Sequence, residues 1–382
     1  MNLDDLKVLM ISSDRNISLP GSAVSARMKE YGGLVEELHI VLLSDSSHGL
    51  KNAQLDKNIW VYPTNSLTSV FRPLDAARIG KKIVYEEKFV RGKSVITADS
   101  IECGWAGLRV KNKWRLPLEV QMHTDPFSPY FSGFQNNLRK FFANKILLQA
   151  DSLRVVSESL KSKIQSLKSK ASISVLPIYV DKKKIEDGHI TFDLHSRYPW
   201  TFILLTVSRL APEKNLELAL QTLVLVREKF PDTGLVIVGS GPEESKLKLL
   251  VSQLKLDEVV EFVGWQDNLA SYYKTANAFL QTSSFEGYGL SLVEAGLSGL
   301  PILTTPVGIA LELEAGRDAY IYPHDHPELF AQGIGDLIEN NFKRESLRVS
   351  MKYTLEKKLL SKNDYLAQIK LNWENTAKQI KA

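Results

Sequence analysis

The chain has 382 residues, of which 44% are hydrophobic and 24% charged. This length suggests two domains of ordinary globular composition. The single cysteine, Cys103, excludes an internal disulfide framework and fits a reducing compartment. No apolar stretch approaches the roughly 20 residues of a membrane-spanning helix, and the acidic start does not resemble a signal peptide. We therefore expect a cytoplasmic protein.

The net charge of +4 is unevenly distributed along the chain. Residues 1–200 contain 29 lysines and arginines against 21 acidic residues, whereas the remainder contains 19 against 23. A basic first half can face an anionic membrane or a phosphate-bearing acceptor. A mixed, lysine-rich solvated surface explains the same numbers equally well. Peripheral contact with the inner face of a membrane therefore remains open, and no nucleic-acid partner is expected.

The first elements follow a βαβ rhythm, which predicts a parallel sheet. A buried strand is predicted at 6–14, a helix at 23–31 and a second strand at 37–44. The loop after the first strand contains only Gly21, so the glycine-rich fingerprint of a dinucleotide-binding dehydrogenase is missing. A dinucleotide cofactor is therefore not expected there. A long loop above a strand end is more typical of a substrate site.

The rest of the first half repeats this rhythm. Further strands are predicted at 58–64, 94–99, 117–125, 151–159 and 172–181. The strand at 117–125 carries His123 near its end, followed by an aromatic, proline-rich loop at 125–131 and a basic amphipathic helix at 137–150. A lone histidine at a strand end often only satisfies local hydrogen bonds. The long aromatic loop beside His123 favours a functional role.

The second half restarts the α/β rhythm after an exposed connection. Three lysines, Lys182 to Lys184, begin this predicted connection, which extends to about residue 199 and contains the domain boundary. Strands are then predicted at 200–210, 234–239, 259–265, 278–284, 302–305 and 319–323. Helices are predicted between them, and the tail from residue 327 is helical and lysine-rich.

The stretch from Ser283 to Thr305 combines a strand end, a turn, a helix and the next strand. Gly287 and Gly289 allow a sharp turn and a close ligand. Glu286 in the turn and Glu294 in the helix place two carboxylates beside a helix N-terminus, which attracts phosphate. Each residue alone could be an ordinary solvated or turn residue. Together they favour a ligand with hydroxyls and phosphates, such as a nucleotide sugar.

Two cations follow the strand predicted at 200–210. Arg209 and Lys214 are suited to neutralising a diphosphate. Salt bridges to Glu213 or Glu217 are an equal alternative for both cations. The sequence alone does not decide between the two interpretations.

Glycines mark two more strand ends. Gly239 and Gly241 resemble part of a dinucleotide fingerprint that lacks its third glycine, and they would allow the backbone to approach a nucleotide. Gly264 and Trp265 could line a base pocket, although a tryptophan at this position is more commonly part of the core.

The motifs SRLAPEKN, VGSGPEE, FVGW and SFEGYGLSLVEA resemble the C-terminal domain of retaining glycosyltransferases of family four over roughly residues 201–310. ADSIECGWAG, VQMHTDPFSPYF and DSLRVVSESLKSKI resemble its N-terminal half more loosely. The resemblance implies an α/β protein of the GT-B fold, with two Rossmann-like domains facing across a cleft. Residues 1–180, completed by a helix at about 364–382, would form the acceptor domain, and residues 181–363 the donor domain.

The resemblance also implies a role for each matching residue. Arg209 and Lys214 would hold the donor diphosphate and stabilise the departing nucleotide. Glu286 would bind hydroxyls of the transferred sugar, and Glu294 would bind the ribose. His123 would approach the transferred sugar near the reacting centre.

Other matching positions would complete the donor site. Gly21 would let the backbone approach the donor phosphates, although many members of the family have two glycines in this loop. Tyr288 stands where phenylalanine is common. The implied donor-binding positions are Gly21, Gly239, Gly264, Trp265, Gly287, Tyr288, Gly289, Leu290 and Glu294.

The implied activity is retaining sugar transfer from a UDP-sugar, or second a GDP-sugar, to a saccharide or lipid-linked acceptor. No Asp-x-Asp pair lies in a convincing strand-end loop, so neither a metal nor another cofactor is expected. Because no nucleophile is evident, front-face substitution is favoured over a covalent intermediate. Three alternatives remain: a nucleotide-sugar epimerase or a phosphorylase on the same fold, and a non-catalytic nucleotide-sugar-binding subunit.

Overall fold

The computed structural model describes residues 5–128, 134–167 and 169–379. The predicted loop at 125–131 and the predicted last helix at 364–382 therefore lie partly outside the described residues. The chain forms two compact units. The first comprises Met1–Pro177 and Ser361–Ala382, and the second comprises Ile178–Leu360.

The first unit contains one α/β sheet. Its described strands are β1 (Lys7–Ser12), β2 (Glu37–Leu42), β3 (Ala53–Asp56), β4 (Ile59–Pro63), β5 (Ser94–Ala98), β6 (Leu118–Met122), β7 (Ser152–Val155) and β8 (Ser172–Val175). The helices between them are α1 (Ala23–Gly32), α2 (Arg72–Glu86), α3 (Ile101–Trp114), α4 (Phe134–Gln149) and α5 (Glu158–Ser166). The strand order is β3-β4-β2-β1-β5-β6-β7-β8, and only β3 pairs antiparallel to its neighbour.

The second unit contains a smaller parallel sheet. Its described helices are α6 (Lys182–Glu186), α7 (Leu194–Arg197), α8 (Leu216–Lys229), α9 (Glu244–Gln253), α10 (Ala270–Thr275), α11 (Leu290–Leu297), α12 (Pro327–Glu339) and α13 (Asn341–Lys358). Its strands are β9 (Phe202–Val207), β10 (Thr233–Val238), β11 (Val260–Gly264), β12 (Ala278–Gln281), β13 (Ile302–Thr304) and β14 (Tyr320–Ile321). The strand order is β11-β10-β9-β12-β13-β14.

The last helix, α14 (Lys362–Ala377), packs in the first unit against β5 and β6. Trp373 of this helix is fully buried and meets the ring of Tyr31 edge-on, with 5.7 Å between ring centroids. A hydrogen bond of 2.6 Å joins the hydroxyls of Thr376 and Ser152. The helix therefore completes the core of the first unit.

The central strands are buried along their whole length, as expected for parallel sheets covered on both faces. Each sheet has a topological switch point, where successive crossovers run to opposite sides and ligands of α/β proteins bind. In the first sheet it lies between β1 and β5, and in the second between β9 and β12.

The predicted connection from Lys182 to about residue 199 is largely exposed, as expected, and it also contains two short helices, α6, capped by Asp181, and α7. Lys182 is not a solvated charge, since its Nζ donates to the carbonyls of Glu356 and Leu359 at 3.1 and 2.9 Å. The predicted strand at 172–181 ends at Val175.

The strand β3 and the helix α2 were not predicted from the sequence, although the strands around them were. Within the described ranges, no helix has the length and apolar character needed to cross a bilayer.

Candidate active site

The charged residues of the second unit meet at its switch point. Lys214 ends a 3₁₀ turn that follows β9, and Glu286 lies in the loop between β12 and α11. β9 and β12 are parallel neighbours, so both loops leave the same edge of the sheet. The Lys214 ammonium donates to both carboxylate oxygens of Glu286, at 2.7 and 2.8 Å. The two predicted site residues are therefore direct partners, although 72 positions separate them.

Neighbouring polar groups fix this pair. The Ser283 hydroxyl donates to Glu286 Oε1 at 2.7 Å, and the Thr282 hydroxyl donates to the Lys214 carbonyl at 3.2 Å. The backbone N–H of Ser284 donates to the Glu213 carbonyl at 2.9 Å. Lys214 and Glu286 line a small recess, and their side chains retain 18% and 10% exposure. The pair is therefore held in place while still reachable by a ligand.

Arg209 pairs with Glu213, which is the salt bridge considered above as the alternative to diphosphate binding. Its guanidinium forms an ion pair with Glu213, and its side chain is 67% exposed. Glu217, the other carboxylate considered, binds Lys246 at 2.5 Å. Arg209 is thus an exposed cation close to Lys214 in sequence, whereas Lys214 pairs with neither of the expected glutamates.

The N-terminus of α11 lies beside Glu286. Gly289 caps it with φ of +96°, a left-handed conformation that favours glycine. The Tyr288 carbonyl accepts from the Ile309 N–H at 2.7 Å, which ties this turn to the next loop. The Tyr288 side chain is buried, and Leu290 is partly exposed. Of the predicted donor-binding positions here, Tyr288 is therefore buried, whereas Leu290 is exposed.

Glu294, one turn into α11, has a partner that the sequence analysis did not find. The Tyr273 hydroxyl of α10 donates to Glu294 Oε2 at 3.0 Å. Burial raises the pKa of the Glu294 carboxyl, while the Tyr273 hydrogen bond and the charge of Lys184 oppose this rise. Tyr273 and Ser283 are ordinary residues in the sequence, and only the fold brings them to the two carboxylates.

Gly239 and Gly241 are required by the protein itself. A Cβ on Gly239 would lie 1.9 Å from the Ser208 carbonyl oxygen, and one on Gly241 would lie 2.3 Å from that of Leu210. The glycines therefore let the loop after β10 pack against the loop after β9. Packing between the two loops therefore explains why glycine occupies both positions, without any ligand.

The expectation of a core tryptophan at position 265 was wrong. Trp265 follows Gly264, whose φ is +68°, and its side chain is 72% exposed. Its indole N–H donates to Asp267 at 3.2 Å. An exposed aromatic ring at a strand end is available to stack on a flat ligand group.

Two predicted residues belong to the first unit. Gly21 has φ of +78° and open space at its Cα, in the exposed loop after β1. His123 directly follows β6 and is partly exposed. Burial lowers the pKa of the His123 imidazole to about 4, and the charges of Arg154 and Arg27 contribute to this shift. His123 is therefore neutral near pH 7.

Comparison with known proteins finds a family model that resembles part of this chain. Residues 195–357 match the model of the glycosyl transferases group 1 family. The chain is 36% identical over 129 residues to a UDP-N-acetylglucosamine–peptide N-acetylglucosaminyltransferase subunit of Streptococcus agalactiae, covering 33% of this chain and 25% of that protein. It is 25% identical over 270 residues to an alpha-monoglucosyldiacylglycerol synthase of Acholeplasma laidlawii, covering 64% and 65% of the two chains. The chain thus spans less than two thirds of the length of these curated relatives.

Solved structures extend the likeness in fold to nearly the whole chain. An Anabaena protein, HepE, crystallised with UDP and glucose, superposes with a TM-score of 0.73 at 18% identity, covering 97% of this chain and all of the other. The sucrose-phosphate synthase of Thermosynechococcus elongatus gives 0.76 at 17% identity, covering 97% and 98%. The predicted GT-B fold is therefore confirmed, and residues 195–357 resemble the glycosyl transferases group 1 family.

Proposed function

We propose that this protein is a retaining glycosyltransferase that moves a sugar from a nucleotide-sugar donor to a saccharide or lipid-linked acceptor. The second unit binds the donor, and the first unit binds the acceptor and supplies His123. The observation that carries the proposal is the ion pair of Lys214 and Glu286 at the switch point of the second sheet.

The Lys214–Glu286 pair suits a ligand with both phosphates and hydroxyls. A lysine ammonium has three N–H donors, and Glu286 accepts from Lys214 through two oxygens. The remaining donor is free to bind a phosphate oxygen, because the recess leaves the side chain partly exposed. Lys214 also neutralises Glu286, whose carboxylate would otherwise repel the diphosphate. Glu286 can then accept hydrogen bonds from sugar hydroxyls beside a bound phosphate.

Arg209 and the N-terminus of α11 supply further positive potential for the leaving diphosphate. An exposed ion pair such as Arg209–Glu213 contributes only about 0.2–1 kcal/mol, so Arg209 can exchange Glu213 for a phosphate at low cost. The N–H groups of Gly289 and Leu290 open the helix, and helix N-termini bind phosphate. Fixed positive groups of this kind stabilise a departing anion.

The nucleoside would bind through its ribose and its base. Tyr273 occupies Oε2 of Glu294, which leaves Oε1 to accept from a ribose hydroxyl. Trp265 offers an exposed ring for the base, next to Gly264. We favour UDP, with GDP second, because HepE was crystallised with UDP and the Streptococcus agalactiae relative is named for a UDP-sugar.

The proposed reaction takes place on one face of the sugar. The bond between the anomeric carbon and the phosphate oxygen breaks, and the departing diphosphate takes the electron pair. The acceptor hydroxyl attacks from the same face and transfers its proton to that phosphate oxygen, which retains the configuration. His123 accepts a hydrogen bond from a hydroxyl of the transferred sugar and holds it during this step. Neither a metal nor a covalent intermediate is required.

The acceptor would be met by the first unit, where α4 presents a basic and partly apolar surface. Phe141 and Leu148 are 51% and 61% exposed. The Lys145 ammonium lies 4.6 Å from the centroid of the Phe141 ring. Lysine and aromatic side chains of this kind suit the boundary between an anionic membrane and water. This surface favours a lipid-linked acceptor and peripheral contact with the membrane. It is less suited to a freely diffusing acceptor.

The proposal is tested by incubating the full chain with UDP- and GDP-sugars in the absence of an acceptor. A thermal-shift screen first selects the nucleotide, because a ligand that binds only the native state raises its melting temperature. The selected donor should then be hydrolysed slowly, with the anomeric configuration of the released sugar retained. Conversion of the donor into another nucleotide sugar would favour an epimerase. Binding without any hydrolysis, even after addition of saccharide and lipid-linked acceptors, would favour a non-catalytic subunit.

A further inference from the structure

We propose that Asp99 is an acceptor-binding residue, whose carboxylate holds hydroxyl groups of an uncharged saccharide at the switch point of the first sheet. The inference rests on the proposed function, because it takes the first unit as the acceptor domain. It stands on a carboxylate that no step of the proposed reaction uses, and every residue that carries it belongs to the first unit.

Asp99 lies where the fold of the first unit prepares a ligand site. It directly follows β5, and the switch point of this sheet lies between β1 and β5. In open α/β sheets, ligands bind outside the carboxyl ends of the strands at such a point. β5 and β6 are parallel neighbours, and His123 directly follows β6. A ligand that reaches Asp99 therefore lies at the same edge of the sheet as His123.

Groups on both sides of the switch point hold the Asp99 side chain. The Ser12 hydroxyl, at the end of β1, donates to Asp99 Oδ2. The backbone N–H of Ser13 donates to both carboxylate oxygens, at 3.2 and 3.3 Å. Burial raises the pKa of this carboxyl, and hydrogen bonds from Ser12, Cys103 and Ser13 oppose the rise. The carboxylate is thus fixed in one orientation before a ligand arrives.

Asp99 lacks the cation that two other acidic residues at this edge have. Asp45, after β2, is bound by the Arg72 guanidinium, with 2.7 Å between Nε and Oδ1. Asp125, after β6, pairs with Lys163 of α5. Among the described residues, hydroxyl, thiol and backbone N–H groups bind Asp99, and no salt bridge reaches it. Its negative charge is therefore left for a ligand rather than neutralised by the protein.

The carboxylate also retains room for a further hydrogen bond. A carboxylate has about four acceptor sites. Three donors use them here, and the Ser13 N–H is shared between the two oxygens at the distances given above. Asp99 is partly exposed, and Ser13 beside it is exposed. A donor from outside the protein can therefore reach the carboxylate.

The charge at this position determines the class of the ligand. Hydroxyl groups form short, strong hydrogen bonds with a carboxylate, because the acceptor is ionised. A phosphate would be repelled by Asp99 and by Asp14, whose charge already acts on Asp99. Asp99 therefore fits the hydroxyls of an uncharged saccharide rather than a phosphorylated group. A free saccharide and the head of a glycolipid offer the same hydroxyls.

The test compares three forms of the full chain: wild type, Asp99→Asn and Asp45→Asn. The probes are the octyl glycosides of glucose, galactose and mannose, used below their micelle concentrations, and the methyl glycosides of the same sugars. Saturation-transfer NMR measures their binding in the absence of any donor. Asp45 is the matched control, because it lies at the same edge but is already paired with Arg72.

We expect the wild type to bind at least one of these sugars, and inorganic phosphate not to displace it. Asp99→Asn should bind that sugar at least about 10-fold more weakly, because it loses a charged acceptor. Asp45→Asn should bind it as the wild type does. Equal binding of the methyl and octyl forms would indicate a free saccharide, whereas a preference for the octyl form would indicate a glycolipid.

Because Asp99 also ties β5 to β1, the melting temperature is measured on the same samples. A lowered melting temperature with unchanged glycoside affinity in Asp99→Asn would leave Asp99 a structural role alone and overturn the inference. A wild type that binds none of the glycosides would also overturn it. If Asp99→Asn does not fold, Asp99→Ser, which keeps a hydroxyl beside Ser12, takes its place with the same expected loss.

The binding measurement needs no nucleotide sugar, so it separates this inference from the proposed function. UDP binding should be the same in wild type and Asp99→Asn, because the proposed nucleotide site belongs to the second unit. A chain that binds a glycoside through Asp99 but neither binds nor hydrolyses any nucleotide sugar would support the saccharide site and refute the proposed function.

Discussion

The carboxyl ends of the two sheets hold their charges in different ways. In the second unit, Lys214 and Glu286 are partly exposed and bind each other, while Arg209 lies on the surface with Glu213. In the first unit, Arg154 is buried below the strand ends, and the strand end itself presents the imidazole of His123. The Lys214 and Arg209 side chains are therefore accessible from solvent, whereas that of Arg154 is not.

This difference indicates a division of labour. An ionic ligand such as a nucleotide diphosphate needs charges that are reachable and already neutralised in its absence. The following predictions test each side of this comparison.

The largest effect is expected for Glu286→Gln. The sugar loses its carboxylate acceptor, so donor hydrolysis should fall about 100-fold or more, the loss typical of a removed transition-state contact. UDP without a sugar should bind as tightly as before or more tightly, because Lys214 no longer shares its charge with a carboxylate. Calorimetry and a hydrolysis assay measure the two quantities.

Glu217→Gln is the matched control for Glu286→Gln, since Glu217 is also paired with a lysine but lies outside the site. Glu217→Gln should change neither donor hydrolysis nor UDP binding. A Glu286→Gln protein that hydrolyses the donor at the wild-type rate would remove Glu286 from the proposed mechanism.

His123 should give the first unit a pH-dependent stability. Its pKa is lowered to about 4 in the folded chain, so the unfolded chain binds the proton more readily. Stability should therefore fall as the pH drops from about 6.5 towards 4, by about 2.5 kcal/mol at pH 4.5. His123→Asn should lose this component. Urea unfolding at pH 7 and pH 4.5 measures it, with exposed His189→Asn as control; equal pH sensitivity in wild type and His123→Asn would contradict the lowered pKa.

A smaller effect on UDP binding is expected for Glu294, the proposed partner of the ribose. Glu294→Ala should weaken UDP binding about 10-fold, since the hydrogen bonds of a charged acceptor contribute about 1.5–3 kcal/mol. The loss should be much smaller with 2′,3′-dideoxy-UDP. Tyr273→Phe should weaken UDP by less than Glu294→Ala, because it removes only the donor to Oε2. Equal losses with UDP and the dideoxy nucleotide would place Glu294 away from the ribose.

The direction of the Glu294 pKa gives the same interaction a pH dependence. Burial raises that pKa, so UDP affinity should weaken at mildly acidic pH as the carboxylate takes a proton.

The smallest effect is expected at Arg209. Arg209→Gln should weaken UDP binding by less than about 10-fold at low salt, and the difference should shrink at 0.5 M salt because exposed charges are screened. Glu213→Gln should act in the opposite direction, since it releases Arg209 from its ion pair. Two variants that shift UDP affinity in the same direction would contradict exchange of partners at Arg209.

The sequence was sufficient to predict most of the parallel strands, and it predicted that Lys214 and Glu286 follow strand ends, as they do in the structure. Buried apolar runs that end in small or polar residues identify parallel strands, and site residues follow such runs. The strand β3 was missed because its short, largely exposed sequence has no apolar alternation. The helix α6 was missed because it is fixed by the Asp181 cap and by contacts of Lys182 with the distant α13 end.

The partners within the site could not be predicted, because pairing depends on tertiary distance. Lys214 and Glu286 are 72 residues apart, and only the adjacency of β9 and β12 brings them together. Tyr273 carries no mark in the sequence that distinguishes it from Tyr272. The exposure of Trp265 likewise depends on which residues the fold places around its side chain. Residue type alone favoured burial in the core.

The central claim is that the Lys214–Glu286 pair forms the core of a nucleotide diphosphate site, and calorimetric titration with UDP tests it most directly. Three proteins should be compared: wild type, Lys214→Met, and Lys246→Met as a control lysine that is also paired with a glutamate. We predict that Lys214→Met binds UDP at least about 10-fold more weakly, since charged hydrogen bonds contribute about 1.5–3 kcal/mol, and that Lys246→Met binds as wild type does. Equal affinity of wild type and Lys214→Met for UDP, and likewise for GDP, would contradict the account.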